Sequence, residues 1–261
     1  MNLAHIARSS ITVFLFEWNR SMTASRVACW SVLVLFPPLI FGILAFNDLH
    51  PPTDQVWDIT LYGMSPGVIT MLGLLLWATP SVHTELEGKT WIYLAVRPAG
   101  KDAVLIGKYL SAVGWSAVAA WLGMTLSVAI ISIAAGHQNP LRLWFVLSVI
   151  LFLSAMAYGA LFSFIGVLFK RRAMVVAVAY SIIFELIVAF LPAIINKFTV
   201  QYRLASLMFQ WMDWGAIPQQ SPIGREPPWQ HILILFAYTV GLMTVSALFL
   251  RLREHITSDE T

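Results

Sequence analysis

The sequence predicts an all-α integral membrane protein with six transmembrane helices. Of its 261 residues, 59% are hydrophobic and 11% are charged, and the mean hydropathy is +0.76, whereas a typical soluble domain has about 25% charged residues. A transmembrane helix needs roughly 20 mostly apolar residues, because its backbone polar groups must be paired within the segment. Six stretches have that length, at about 27–46, 64–82, 105–135, 141–169, 173–195 and 231–250.

The segment before the first span, residues 1–26, is predicted to form an interfacial helix within a single domain of residues 1–261. Arg8, Glu17 and Arg20 break up its apolar positions, so it lacks the continuous apolar core of a signal peptide. Some of its apolar residues share one helical face, as in a helix that lies along a membrane surface. They are Leu3, Ile6, Ala7, Phe14 and Trp18, whereas Ile11, Val13, Leu15 and Phe16 interrupt the pattern.

The positions of lysine and arginine predict that both termini are cytoplasmic, because cytoplasmic loops carry an excess of these residues. With the N-terminus inside, most of the 16 lysines and arginines fall in inner segments. Those in outer segments are Arg142, Lys197, Arg203 and Arg225. The membrane topology and the anionic lipid headgroups at the inner face then explain the net charge of +3. We therefore expect a multi-pass protein in a lipid bilayer, and the charge does not call for a nucleic-acid partner.

Two predicted outer connections differ in length. Residues 47–63 are predicted to be an ordinary connection, whereas residues 196–230 are long enough to hold structure of their own. The first half of the longer connection has apolar residues at the spacing of a short helix with one apolar side. They are Leu204, Leu207, Met208, Phe209, Trp211, Met212 and Trp214.

Residues 85–108 form a polar segment between the second and third spans, and it contains the triplet Gly88-Lys89-Thr90. A Walker A phosphate-binding loop needs a glycine five residues before the glycine of this triplet, and that position is His83. The segment also follows a membrane span instead of a buried strand. We therefore predict no nucleotide site here.

Spacing within the polar segment predicts a short surface helix. Glu85 and Glu87 are expected at its start, where carboxylates interact favourably with the helix dipole. Arg97 precedes Pro98 and would end the helix, because a residue before proline is disfavoured in the α region. A solvated loop with positive-inside lysines explains the same residues, and spacing alone leaves both interpretations open.

The polar segment has the pattern Glu85-x-Glu87-x-x-Thr90-x-x-x-Leu94-x-x-Arg97-Pro98-x-x-Lys101, followed by Gly107-Lys108. This pattern resembles the loop after the second span in ABC-2 type permeases, the membrane subunits of many ATP-binding-cassette transporters. The interfacial helix, the six spans and the long outer connection before the last span also resemble that family. One difference is that Gly88 precedes Lys89, whereas the family often has a glycine directly before the threonine.

The resemblance implies a coupling helix that docks on a separate ATPase subunit. The residues that it assigns to this contact are Glu85, Glu87, Gly88, Thr90, Leu94, Arg97, Pro98 and Lys101. The chain has neither a complete Walker A loop nor a Leu-Ser-Gly-Gly-Gln signature, so we do not expect it to be an enzyme by itself. ATP and Mg would bind the separate ATPase subunit. The resemblance further implies a second permease subunit, identical or related, an export function and a bacterial inner membrane.

Glu185 is the only carboxylate well inside a predicted span, which makes it a candidate intramembrane polar site. Burial of such a group costs several kcal/mol unless it is paired, protonated or hydrated. It belongs either to a substrate path or subunit interface, or to an interhelical hydrogen bond. Ala155, Gly159 and Ser163 form a face of small residues in the fourth span, and packing within the bundle is the favoured interpretation over a dimer contact.

Two other classes of function remain open. A membrane scaffold or assembly factor could carry the same loop and transport nothing. An intramembrane enzyme is less well supported, because the sequence has no Gly-x-Ser-x-Gly elbow, no His-Glu-x-x-His and no pair of aspartates within spans. The six histidines are dispersed without ligand spacing, so we expect no metal site.

Overall fold

The computed structural model describes residues 3–47, 53–87, 100–169, 172–187, 197, 199–212 and 226–252. Within these ranges the regular structure is helical, and no strand occurs. The α-helices are α1 Leu3–Arg20, α2 Ala24–Phe46, α3 Asp54–Tyr62, α4 Thr70–Glu87, α5 Gly100–Ile130, α6 Pro140–Leu168, α7 Ala173–Tyr180, α8 Val200–Met212 and α9 Pro228–Leu252. π-Helical segments occur at Gly63–Ile69, Ile131–Ala135 and Ser181–Ile187.

Several helices are long and apolar enough to cross a membrane, which indicates a multi-pass membrane protein. Within the described residues they are Ala24–Phe46, Asp54–Ser81, Gly100–Ala135, Pro140–Leu168 and Pro228–Leu252. The span predicted at 173–195 is represented by the shorter apolar helix Ala173–Glu185. Residues 188–196 lie outside the described ranges, so the sixth span stays a prediction.

The prediction that residues 47–63 form an ordinary connection is wrong for its second half. Helix α3 begins at Asp54 and continues through Gly63–Ile69 into α4. Trp57 and Leu61 on α3 are buried, so one face of this helix packs against the bundle. Asp54 lies in the first turn, where a carboxylate interacts favourably with the helix dipole.

A proline explains the π-helical segment between α3 and α4. Pro66 has no backbone N–H to donate, which normally interrupts an α-helix. A wider π turn accommodates this interruption without ending the helix. The hydroxyl of Ser154 on α6 donates to the Pro66 carbonyl at 2.7 Å, so this buried acceptor is satisfied by a neighbouring helix.

Helix α6 lies at the centre of the bundle and contacts α4, α5, α7, α8 and α9. Its side chains Tyr158 and Phe162 are fully buried. A Cβ added at Gly159 would lie 2.5 Å from Cγ2 of Val113, so only glycine permits this approach of α5 to α6. The predicted use of the small-residue face for packing within the bundle is confirmed at this position.

Helix α1 packs along α5 by means of two glycines of α5. A Cβ added at Gly107 would lie 2.7 Å from the Val13 side chain and 2.8 Å from the Ser10 carbonyl oxygen. A Cβ at Gly114 would lie 2.8 Å from the ring of Trp18. The two helices therefore approach more closely than larger residues at these positions would allow.

The apolar residues of α1 have two different positions. Trp18 stacks on Trp115 of α5 with 4.7 Å between ring centroids, and Val13 also contacts α5. Ile11, Leu15 and Phe16 are more than half exposed. One side of α1 thus packs on protein while another is an uncovered apolar surface, which explains why no single apolar stripe is visible in the sequence.

Candidate functional site

The polar segment between α4 and α5 lies partly outside the described residues. Gly88, Thr90, Leu94, Arg97 and Pro98 all fall in residues 88–99, which the structure does not describe. The coupling helix assigned to these residues therefore stays a prediction.

Two residues of the polar segment belong to a different helix from the one predicted. Helix α4 continues through Glu85 and ends at Glu87, so the prediction that these residues start a separate helix is wrong. Pro80 lies inside α4 without ending it, and no proline or glycine occurs from residue 82 to Glu87, so the helix continues beyond the predicted end of the span. Lys101 lies in the first turn of α5.

Lys108 of α5 connects three helices. Its ammonium Nζ lies 3.1 Å from Oε1 of Glu17 on α1 and donates to the Ser81 carbonyl of α4 at 2.8 Å. Lys108 is only 4% exposed, so little water competes with these contacts and screening by solvent is weak. Arg20 lies farther from the same carboxylate, at 3.8 Å.

A second ion pair joins the start of α5 to the end of α9. Arg251 donates through Nε to Oδ1 of Asp102 at 3.3 Å, and its Nη2 contacts the other carboxylate oxygen. The Lys108 and Arg251 contacts together connect α1, α4, α5 and α9 through side chains. The sequence alone did not identify this pairing, because 149 residues separate Asp102 from Arg251.

Glu185 lies in a buried hydrogen-bond cluster and is 4% exposed. Its Oε2 accepts from the Tyr158 hydroxyl at 2.8 Å and from the Gln201 backbone N–H at 3.0 Å. Its Oε1 lies 3.4 Å from both the Val200 N–H and the Tyr180 hydroxyl. Both carboxyl oxygens are thus surrounded by donors from α6, α7 and α8.

This arrangement makes Glu185 the cap of a helix that begins 15 residues later. The first N–H groups of an α-helix have no partner within the helix, and the carboxyl group of Glu185 supplies one for Val200 and Gln201. The helix dipole also favours an acidic group at this end. Tyr62 of α3 donates to the Gln201 carbonyl at 3.3 Å. Of the two interpretations of Glu185, the geometry favours the interhelical hydrogen bond.

A separate charged cluster joins α8 to the start of α9. Glu226 lies 3.0 Å from Nζ of Lys197 and also contacts the guanidinium of Arg203, which donates through Nε to the Lys197 carbonyl at 3.0 Å. The hydrogen bond from Lys197, and then that from Arg203, lower the pKa of the Glu226 carboxyl below its usual value. Sequence analysis placed both cations on the outer side but did not identify their acidic partner.

Sequence analysis also missed a pair between α3 and the turn after α5. Nε2 of His137 lies 2.9 Å from Oδ1 of Asp58, and both side chains are almost fully buried. Nearby, the Gln138 N–H donates to Asp54 at 3.0 Å. Histidine spacing along the chain gave no signal for this pair, because 79 residues separate its members. No group of three or more potential metal ligands occurs within the described ranges.

A cavity of about 80 Å³ lies between α1, α2, α4 and α5, next to the Lys108 contacts. We call it the inner cavity. Its polar lining comes from Glu17, Arg20, Ser21, Arg26, Ser81, Lys108 and Ser111. Its apolar lining comes from Leu76, Trp77, Pro80 and Ala112.

No family model matches the chain, and no curated protein or solved structure is significantly similar to it. Interpretation of the function therefore depends on the residues of the chain and on the geometry of their contacts.

Proposed function

We propose that the chain is the permease subunit of an ATP-binding-cassette transporter, with an ABC-2 type arrangement and export as its direction. It would form the translocation path and be driven by a separate ATPase subunit that binds ATP and Mg. The observation that supports this proposal most directly is the set of contacts of Lys108, which links α1 to α4 and α5, the two helices that residues 88–99 join along the chain.

The Lys108 contacts give the loop a mechanical connection to the membrane helices. Residues 88–99 join α4 to α5, so a partner that moves this loop applies force to both helices at once. Since Lys108 holds α5 to the Ser81 carbonyl and to Glu17, the ends of α4, α5 and α1 would move as one unit. Helix α5 has 31 residues and is about 46 Å long at 1.5 Å per residue, enough to carry this motion across a bilayer.

Pairing with a second permease subunit, identical or related, is the arrangement that the resemblance implies. The uncovered apolar surfaces do not identify such a contact, because lipid would cover them equally well. The substrate also stays open, since the buried polar cluster around Glu185 is satisfied by the protein itself.

The experiment that tests the proposal measures ATP hydrolysis by the purified complex. The chain is purified in a gentle detergent with any ATPase subunit that accompanies it and is reconstituted into vesicles. We expect Glu87→Ala and Arg97→Ala to lower the ATPase activity stimulated by the membrane subunit. Arg253→Ala is the control, because it removes a predicted inner charge outside the loop.

Three outcomes would contradict the proposal. Recovery of no ATPase subunit would remove its main support. Equal activity in all three variants would show that the loop does not couple hydrolysis to the membrane subunit. Binding of an ATPase without any stimulation would support an assembly role instead.

A further inference from the structure

We propose that the inner cavity binds the phosphate group of an anionic membrane lipid. None of the residues that line this cavity belongs to residues 88–99, and the binding does not depend on a transport function.

The inner cavity carries a surplus of positive charge. Arg20, Arg26 and Lys108 contribute three cations, and Glu17 contributes one carboxylate. Because Lys108 is buried against Glu17 at 3.1 Å, these two charges largely cancel. The two guanidinium groups then determine the charge that a ligand meets, and both arginines are exposed residues of the cavity lining.

Both arginines retain N–H groups for a ligand. A guanidinium has five N–H donors in a planar arrangement that matches the oxygens of a phosphate. Arg26 donates one hydrogen bond through Nη1 to the Ser21 hydroxyl at 3.1 Å. Arg20 lies 3.8 Å from Glu17, beyond hydrogen-bond distance. Because both side chains line the same cavity, a phosphate bound there can accept from both.

The backbone next to these arginines is held in place. Ser21 is 5% exposed, its N–H donates to the Glu17 carbonyl at 2.9 Å, and its own carbonyl accepts from Thr23 at 2.9 Å. Helix α2, which has 23 residues, begins at Ala24 between Ser21 and Arg26. Its positive dipole end lies next to two residues of the lining and adds to the attraction for an anion.

The opposite side of the cavity favours a lipid over a free anion. Leu76, Trp77 and Ala112 supply its apolar lining. Leu76 is 42% exposed, so the apolar side continues onto the outer surface of α4. A lipid has a phosphate next to its apolar chains and can use both sides, whereas inorganic phosphate can use only the cationic side.

The test compares the anionic lipid phosphatidylglycerol, the zwitterionic lipid phosphatidylcholine and inorganic phosphate as additives to the purified chain in neutral detergent. Binding is measured by native mass spectrometry and by the shift in melting temperature, at constant ionic strength and without any ATPase. We expect phosphatidylglycerol to bind about tenfold more tightly than phosphatidylcholine. Inorganic phosphate at the same concentration should give no shift.

Variants locate the site. Arg20→Gln and Arg26→Gln should each weaken phosphatidylglycerol binding about tenfold, since each removes charge-assisted hydrogen bonds. Arg8→Gln is the matched control, because it removes an exposed arginine of α1 that does not line the cavity, and we expect less than a twofold change. Both test residues are exposed, so loss of folding is not expected, and circular dichroism checks it.

The proposal is overturned if the wild-type protein binds phosphatidylglycerol and phosphatidylcholine equally tightly. This comparison uses the wild-type protein alone, so it does not depend on the folding of any variant. It is also overturned if Arg8→Gln weakens binding as much as Arg26→Gln, because the attraction would then be general surface charge. A shift with inorganic phosphate equal to that with phosphatidylglycerol would overturn the assignment to a lipid.

Discussion

The backbone N–H of Gln201 donates to Oε2 of Glu185 at 3.0 Å, so a carboxyl group after α7 caps the first turn of α8. This contact explains how an acidic side chain is kept in an apolar bundle. The same carboxyl group accepts from Tyr158 at 2.8 Å, and its other oxygen lies near Val200 and Tyr180. Its burial cost is offset by these hydrogen bonds.

We expect Glu185→Gln to lower the free energy of unfolding by about 1–3 kcal/mol, because the amide presents one acceptor oxygen to four donors and leaves buried N–H or O–H groups unpaired. Thermal unfolding in mild detergent measures this. Tyr180→Phe is the comparison variant. It keeps the carboxyl group and removes the 3.4 Å contact with Glu185 together with the hydrogen bond between the Tyr180 and Tyr238 side chains, so it should cost about 1 kcal/mol. Wild-type stability in Glu185→Gln would contradict the capping role.

A double-mutant cycle tests the contact between Glu17 and Lys108. We expect a coupling energy of at least about 1 kcal/mol between Glu17→Gln and Lys108→Gln, because Lys108 is buried and the pair is poorly screened. The control cycle combines Glu17→Gln with Arg20→Gln. Arg20 is 61% exposed and 3.8 Å from the carboxylate, so this coupling should be below about 0.5 kcal/mol. Equal coupling in the two cycles would refute the role assigned to Lys108.

Glycine at position 107 is predicted to determine how closely α1 approaches α5. Gly107→Ala places a methyl group against Val13 and the Ser10 carbonyl, and we expect it to destabilise the chain by about 1–3 kcal/mol through overpacking. Gly241→Ala in α9 is the control, because a Cβ there meets nothing within 4 Å. Helix propensity should make that variant neutral or more stable by up to about 1 kcal/mol. Melting temperatures of both variants provide the comparison.

The cluster of Lys197, Arg203 and Glu226 predicts an acid-sensitive contribution to stability. The folded pKa of Glu226 is lowered from the ordinary value of 4.5, chiefly by the hydrogen bond from Lys197. A lowered folded pKa means that the stabilisation is fully present above the unfolded pKa and is lost as the pH falls through the folded value. We expect the stability difference between wild type and Glu226→Gln to be constant above about pH 5.5 and to shrink below about pH 4.5.

Unfolding curves from pH 7 to pH 3 measure that difference, and Glu226→Gln serves as the reference because its side chain does not titrate. A difference that stays constant down to pH 3 would show that ionisation of Glu226 adds nothing to the stability of the folded chain.

Sequence periodicity was sufficient to predict a helix where its formation depends on residues that are close together along the chain. The apolar stretches that predicted the first, third, fourth and last spans coincide closely with α2, α5, α6 and α9. A helix is also present as α8 where apolar spacing predicted one, while its outer location stays a prediction. Prediction failed at the helix ends: α3 continues into α4 because a π turn accommodates Pro66, and α4 extends to Glu87.

By itself, the sequence determined that this is a multi-pass membrane protein and where most of its long helices lie, because the need to pair backbone polar groups in hydrocarbon acts within each apolar segment. Only the tertiary structure decided the partners of the polar side chains. Lys108 with Ser81, Asp58 with His137 and Glu185 with Gln201 all join different helices. Such contacts depend on how closely helices approach, and here glycines such as Gly107 and Gly159 set that distance.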